Sequence, residues 1–67
     1  MNPKRDTTKN GKRIKMLETM SEDPNPIFKD EMGTVNYIDD MGYIHVKWDN
    51  GRTLSVLPEV DKYEILD

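Results

Sequence analysis

The stretch from Gly42 to Leu57 alternates apolar and polar side chains on both sides of an Asn50-Gly51 pair, and this feature constrains the fold most. Alternation with a period of two predicts strands with one dry face and one wet face. Asn and Gly both tolerate a positive φ angle, so the pair predicts a tight hairpin turn. The apolar positions are Ile44, Val46 and Trp48 before the turn and Leu54 and Val56 after it. The sequence therefore predicts a β-hairpin whose dry face the rest of the chain must cover.

The length of the hairpin loop follows from which side chains share a face. A two-residue loop would pair Val46 with Ser55, which puts an apolar and a polar side chain on the same face. A three-residue loop, from Asp49 to Gly51, pairs Val46 with Leu54 instead. Because directly opposed residues share a face, the three-residue loop keeps the apolar set together. We therefore predict this register, with Gly51 in a left-handed bulge.

The remaining chain supplies three more short strands and their connections. The predicted order is a strand at 13–17, a long acidic loop at 18–32, a strand at 33–38, a 3₁₀ turn at 58–61 and a last strand at 62–66. Pro24 and Pro26 disfavour regular structure in the long loop. This layout is typical of an all-β fold, a small five-stranded SH3-like barrel. We expect the barrel domain to span residues 11–67, after a flexible basic arm at 1–10.

Alternation also predicts which side chains fill the barrel. The predicted inward set is Ile14, Met16, Val35, Ile44, Val46, Leu54, Val56 and Ile65. We expect Val35 and Tyr37 to share the inner face and to oppose Val46 and Ile44. Ile38 then points outward, unless a bulge turns it in; the pattern leaves both possibilities open.

Charge is spread unevenly along the chain. Residues 1–20 carry six basic and two acidic side chains, whereas the remainder carries four basic and eleven acidic ones. The basic residues of the first part are Lys4, Arg5, Lys9, Lys12, Arg13 and Lys15. A basic arm on an acidic body is either a solvated tail or a contact for nucleic acid.

The composition offers little support for catalysis or metal binding. His45 is the only histidine, and its place on the wet face of the hairpin predicts a solvent-facing side chain. Zinc sites are built mainly from Cys and His ligands, and the chain has no cysteine. Ser55 and Ser21 have no evident companion base for nucleophilic catalysis. We therefore expect no catalytic residue, no metal site and no cofactor.

The same composition bears on the setting of the chain. The absence of cysteine gives no indication of an oxidising compartment, and no apolar run is long enough to cross a membrane. We expect a cytoplasmic monomer with no membrane contact.

The aromatic side chains and one arginine are candidates for a ligand surface. These residues are Trp48, Tyr43, Tyr37, Phe28 and Arg52. Trp48 either lies partly exposed under the Arg52 guanidinium or closes one end of the barrel. Ile27 and Phe28 are expected to fold back from the long loop and cap the barrel end.

A combination of short motifs resembles a family of very short bacterial proteins from Firmicutes and their mobile elements, known only as a domain of unknown function. The motifs are Gly11-Lys12-Arg13-Ile14, Glu18-Thr19-Met20, Asp23-Pro24-Asn25-Pro26, Gly33-Thr34-Val35, Ile44-His45-Val46-Lys47-Trp48-Asp49-Asn50-Gly51 and Pro58-Glu59-Val60-Asp61. The resemblance covers roughly residues 11 to 66 and implies an SH3-like barrel. It carries no site residue over to this chain.

These observations favour a small non-enzymatic binding module that takes a protein or peptide partner. Its acidic body would suit partners that carry Lys or Arg. The alternative is a nucleic-acid-associated accessory protein that uses the basic N-terminal arm.

Overall fold

Five strands form one antiparallel sheet in the order β4-β3-β2-β1-β5. The computed structural model of the chain describes residues 7–21 and 23–66. The strands are β1 (Arg13–Met16), β2 (Met32–Ile38), β3 (Ile44–Trp48), β4 (Thr53–Val56) and β5 (Tyr63–Leu66). The described residues contain no helix, and so none that is long and apolar enough to span a membrane. The prediction of an all-β fold with five strands is confirmed.

The β3–β4 hairpin has the predicted register. Val46 lies opposite Leu54, and Ile44 lies opposite Val56. Gly51 has a φ angle of 92°, in the left-handed region that favours glycine. Its N–H donates to the carbonyl of Trp48 at 2.9 Å, which closes the turn. The requirement that the apolar side chains share one face was therefore sufficient to predict the loop length.

The β2–β3 pair contains a bulge that the alternation left open. Val35 lies opposite Val46 as predicted, but the register shifts at the next position, Asn36. As a result, the prediction that Tyr37 faces inward opposite Ile44 is wrong. Tyr37 pairs with His45 on the outer side of the sheet. An extra residue in one strand exchanges the faces of all residues beyond it.

The same bulge turns Ile38 towards the core. Ile38 pairs with Ile44 and packs against the buried core. The alternative in which a bulge turns Ile38 inward is therefore the correct one.

Strand β1 lies between β2 and β5 in the sheet. Ile14 lies opposite Gly33 of β2 on one side and Ile65 of β5 on the other. Two further backbone bonds, from Gly11 N–H to the Val35 carbonyl and from Val35 N–H to the Lys12 carbonyl, extend the β1–β2 pairing at 2.8 Å each.

Part of the predicted flexible arm falls within the described residues. Asn10 N–H donates to the Thr7 carbonyl at 3.2 Å, and Lys12 N–H donates to the Lys9 carbonyl at 3.0 Å. Residues 7–12 therefore form hydrogen-bonded turns before β1. The prediction for residues 1–6 lies outside the described residues.

The core contains most of the predicted side chains and three that were not in the predicted set. The buried apolar residues are Ile14, Met16, Met20, Ile27, Val35, Ile44, Val46, Trp48 and Val56. Leu54 and Ile65 of the predicted set are only partly buried and pack against this cluster. Met20 and Ile27 come from the long loop, where Met20 N–H donates to the Ile27 carbonyl at 3.0 Å. The long loop therefore closes one side of the core through its own internal pairing.

Trp48 and Phe28 have opposite environments. Trp48 is 1% exposed, and its indole N–H donates to the Leu54 carbonyl at 3.0 Å. The alternative in which Trp48 closes the core is thus confirmed. Phe28 is 60% exposed, so the prediction that it caps the core is wrong, although Ile27 beside it is buried. Successive residues of an extended segment point in opposite directions, and only one of the two can face inward.

A single turn precedes β5, at the predicted place. The N–H groups of Val60 and Asp61 both donate to the Leu57 carbonyl, at 2.9 and 2.8 Å. The Asp61 carboxylate in turn accepts from Leu57 N–H at 2.9 Å. These three bonds hold residues 57–61 in a compact reversal.

Gly33 is predicted to tolerate no larger residue. A Cβ atom at this position would lie 2.7 Å from the Lys47 carbonyl oxygen and 2.9 Å from the Trp48 Cα atom, so the backbone of β3 would have to move. We expect Gly33→Ala to lower the free energy of unfolding by about 1–3 kcal/mol, in the range of other overpacked sites. Urea denaturation followed by the fluorescence of buried Trp48 measures this change. Glu18→Ala, at an exposed loop position, should change stability by less than about 0.5 kcal/mol; equal effects of the two substitutions would contradict the prediction.

Candidate binding groove and the His45 cluster

Exposed apolar side chains gather where two connections of the sheet meet. Met41 and Tyr43 in the β2–β3 loop are 72% and 39% exposed, and Leu57 and Val60 in the β4–β5 turn are 36% and 45% exposed. All four line a depression of about 240 Å³, together with Pro58 and Glu59. Contiguous exposed apolar residues of this kind mark interaction surfaces more often than isolated ones do.

A second depression of about 180 Å³ continues this surface. It shares Leu57 and Val60 with the first and adds Met20 and Asp23 from the long loop. Ser55 and Asp61 complete its lining. The two depressions together, which we call the groove, lie among the long β1–β2 loop, the β2–β3 loop and the β4–β5 turn.

The groove is lined by both apolar and acidic side chains. Asp23, Glu59 and Asp61 are among its lining residues, whereas no Lys or Arg is, as far as the described residues go. Two of these carboxylates also hold their loops in shape. Asp23 accepts from Asn25 N–H at 2.8 Å, and Asp61 accepts from Leu57 N–H.

Asp39 organises the loop that carries Met41 and Tyr43. Its Oδ1 atom accepts from the N–H groups of both residues, at 3.0 Å each. Gly42, at a φ angle of 88°, completes the reversal by donating to the Asp39 carbonyl at 2.9 Å. Asp39 thereby fixes the side of the groove that Met41 and Tyr43 line.

The second carboxylate oxygen of Asp39 contacts His45. Asp39 Oδ2 lies 2.8 Å from His45 Nε2. The hydrogen bond with His45, together with the bonds from Tyr43 and Met41 N–H, holds the pKa of Asp39 below its ordinary value in spite of partial desolvation. The carboxylate is therefore charged throughout the neutral range.

Three side chains contact His45. Its ring stacks on Tyr37, with centroids 4.2 Å apart and planes inclined by 9°. Its Nδ1 atom lies 3.3 Å from Ser55 Oγ, and its Nε2 atom is bonded to Asp39. His45 lies on the outer side of the sheet, as predicted, with 33% of its side chain exposed, but it contacts three partners that the sequence analysis did not indicate.

Ser55 lies beside an imidazole, a contact that the sequence analysis did not anticipate. His45 and Ser55 are directly opposed across the hairpin. This contact was implicit in the predicted register, since pairing Ile44 with Val56 and Val46 with Leu54 also pairs the two residues between them. The contact could therefore have been predicted from the strand register, although no sequence motif indicates it.

Ser55, His45 and Asp39 form a chain of contacts that joins β4 and β3 to the β2–β3 loop. The Ser55 Oγ to His45 Nδ1 distance of 3.3 Å is longer than the roughly 2.6–3.2 Å reach of a general base. Asp39 also divides its carboxylate between the imidazole and two backbone N–H groups. Across the described residues, no group of three or more potential metal ligands is close enough to hold an ion.

The predicted aromatic surface is not assembled as one patch. Trp48 lies in the core, and Tyr37 lines a different depression of about 350 Å³ on the outer side of the sheet. Phe28 is exposed but does not line the groove. Arg52 is half-buried at the hairpin turn, where its N–H donates to Asn50 Oδ1 at 2.9 Å. Of the predicted set, Tyr43 alone lines the groove.

Two of the predicted nucleic-acid contacts form ion pairs with carboxylates of this chain. Arg13 donates to both carboxylate oxygens of Asp49, at 2.9 and 2.5 Å, and to Thr34 Oγ1 at 3.0 Å. The Lys15 ammonium lies 3.6 Å from the Asp30 carboxylate. The hydrogen bond from Arg13 lowers the pKa of Asp49, and the same bond raises that of Arg13.

The other basic residues have different positions. Lys9 and Lys12 are half-buried in the turns before β1. Lys4 and Arg5 lie outside the described residues. The nucleic-acid alternative stays a prediction.

The fold and the groove together define a small all-β domain whose connections form an apolar and acidic surface. The family model of a domain of unknown function (DUF4314) matches residues 2–66, and the chain belongs to this family. No curated protein matches the chain, and no solved structure does either.

Acid is expected to destabilise the fold through Asp49 and Asp39. Their pKa values are lower in the folded chain than their ordinary values. The corresponding stabilisation is therefore present above about pH 4 and is lost as the pH falls through the folded-state values. Urea denaturation midpoints measured from neutral to acidic pH should fall in this range, and should fall less steeply in Asp49→Asn.

The matched control for this measurement is Asp40→Asn at an exposed loop position. Its pH profile should follow that of the unmodified chain. A profile of Asp49→Asn identical to that of Asp40→Asn would contradict the assignment.

Proposed function

We propose that the chain is a non-enzymatic interaction module that binds an extended, basic protein segment in the groove. The observation that carries this proposal is the cluster of four exposed apolar side chains, Met41, Tyr43, Leu57 and Val60, beside the carboxylates of Asp23, Glu59 and Asp61. The bacterial setting implied by the sequence resemblance and the cytoplasmic setting expected from the composition form part of the same proposal.

An SH3-like barrel is the fold class that we propose for the module. Strand β1 pairs with both β2 and β5, while β2, β3 and β4 follow one another as a meander. The long connection after β1 and the turn before β5 flank the groove. Small barrels of this kind leave their loops as the natural place for a partner, because the sheet itself is committed to the core.

The apolar part of the groove supports a segment that buries side chains rather than one held by charge alone. Met41 is the most exposed of the large apolar residues in the described chain, and its flexible thioether can adapt to different partners. Tyr43 combines an apolar ring with a polar tip, as residues at interfaces commonly do. The small size of the groove supports a weak, transient complex.

The acidic part of the groove supports a partner that carries Lys or Arg. Three carboxylates line the groove, and the net charge of the chain is −3. Opposite charge at the rim raises the association rate and selects among partners more than it raises affinity. A segment with basic side chains next to one or two apolar ones matches both properties.

Binding is tested by NMR with a labelled chain and a peptide that alternates Lys or Arg with Pro and Leu. We expect the amide shifts of Met41, Tyr43, Leu57 and Val60 to move together, with a dissociation constant between about 10 μM and 1 mM. Val60→Ser should weaken binding at least about fivefold, since it removes apolar area from the groove.

Phe28→Ser is the matched control, because Phe28 is more exposed than Val60 but lies outside the groove. It should leave binding unchanged. A peptide with Glu in place of Lys and Arg should bind more weakly than the basic peptide. Shifts confined to Lys9, Lys12 and Arg13 with a single-stranded oligonucleotide, and none in the groove with the peptide, would contradict the proposal and favour the nucleic-acid alternative.

A further inference from the structure

His45 contacts one residue that supports the first half of the groove and one that lines the second. Through Asp39 it contacts the β2–β3 loop, whose Met41 and Tyr43 line the first depression. Through Ser55 it contacts a lining residue of the second depression. One imidazole thus touches the supports of both halves without lining the groove itself.

The three partners of His45 accommodate the ring in either protonation state. In the neutral ring, Nε2–H donates to Asp39 and the Ser55 hydroxyl donates to Nδ1. In the charged ring, both nitrogens donate, and the Ser55 hydroxyl becomes an acceptor. A hydroxyl can serve in either role, so the proton can be gained or lost without moving the ring.

The groups that face His45 come from three elements of the fold. Asp39 faces it from the β2–β3 loop, the Tyr37 phenol stacks on it from β2, and the uncharged Ser55 faces it from β4. Exposed Lys47, two residues along β3, is the nearest like charge in sequence, and exposed Asp40 adjoins Asp39 in the loop. Protonation turns the Asp39 contact into a charge-assisted hydrogen bond between ions.

We propose that protonation of His45 tightens the β2–β3 loop through Asp39 and thereby strengthens peptide binding in the groove. Asp39 is the positioning residue of this device and His45 is its proton-dependent partner. Histidine is the side chain that ordinarily changes charge between about pH 5 and pH 8, so the groove would respond to modest acidification. The effect on binding rests on the proposed function, whereas the effect on the loop does not.

The first experiment uses the free chain without any peptide. His45 is the only histidine, so its ring protons report its protonation without ambiguity once any affinity tag is removed. Hydrogen-exchange protection of the Met41 and Tyr43 amides, corrected for the intrinsic effect of pH, should rise about threefold to tenfold on going from pH ~8 to pH ~6. The rise should follow the titration of the His45 ring protons.

Two variants separate this device from a purely structural role. His45→Gln keeps a neutral donor for Asp39 but cannot gain a proton, so the protection of Met41 and Tyr43 should no longer depend on pH. Asp39→Asn keeps an oxygen for the two backbone N–H groups but removes the charge and places an amide N–H opposite His45 Nε2, so acidification should no longer raise the protection of Met41 and Tyr43. Phe28→Ser should show the full pH dependence of the unmodified chain.

The second experiment repeats the peptide titration at pH ~6 and pH ~8. The unmodified chain should bind about twofold to fivefold more tightly at the lower pH, and His45→Gln should bind equally at both. Binding that is the same at both pH values in the unmodified chain would overturn the inference and leave the proposed function standing. A loop protection that does not change with His45 protonation would overturn it whether or not the peptide binds. If the protection responds but the peptide does not bind at any pH, the proposed function fails and so does the step from loop to binding.

Discussion

The three-residue loop of the β3–β4 hairpin is the constraint on which the structure depends. Gly51 takes up a left-handed conformation there, which brings Val46 opposite Leu54 and Ile44 opposite Val56. All apolar side chains of the two strands then face inward, and the indole of Trp48 reaches across the hairpin to the Leu54 carbonyl. A loop shorter by one residue would move one strand's apolar side chains into water. In so small a chain, there is no second core to compensate for that loss.

The same register produces the polar cluster on the other side of the sheet. If Val46 and Leu54 face inward as a pair, then His45 and Ser55 face outward as a pair. The bulge at Asn36 adds Tyr37 to this outer pair and gives Ile38 to the core. The stacked ring and the bonded hydroxyl are therefore consequences of how the core is arranged. The arrangement of the core is therefore enough to bring these side chains together.

Sequence reasoning was correct where the burial of a side chain depends on which face of the strand it occupies. It failed where the backbone departs from regular strand pairing. The hairpin register and the inward β1 residues Ile14 and Met16 followed from alternation alone. The bulge at Asn36 could not be decided from the alternation, because Tyr37 is compatible with either face and only the apolar Ile38 beside it suggested a shift. The burial of Met20 depended on how the long loop folds on itself, which a stretch with two prolines and no period does not specify. The groove was missed for a related reason, since loops far apart in sequence form it.

Asp39 joins the turn that it stabilises to a side chain on the following strand. A tight reversal at residues 39–43 needs an acceptor for two N–H groups, and Oδ1 of Asp39 supplies it. An asparagine would satisfy that requirement equally well, because its side-chain oxygen can cap the same turn. The second carboxylate oxygen has no part in the turn and is directed at His45 instead. The negative charge is thus more than the turn demands, and it faces a side chain that can change charge. Turn geometry therefore explains an oxygen at position 39, whereas the contact with His45 explains a carboxylate.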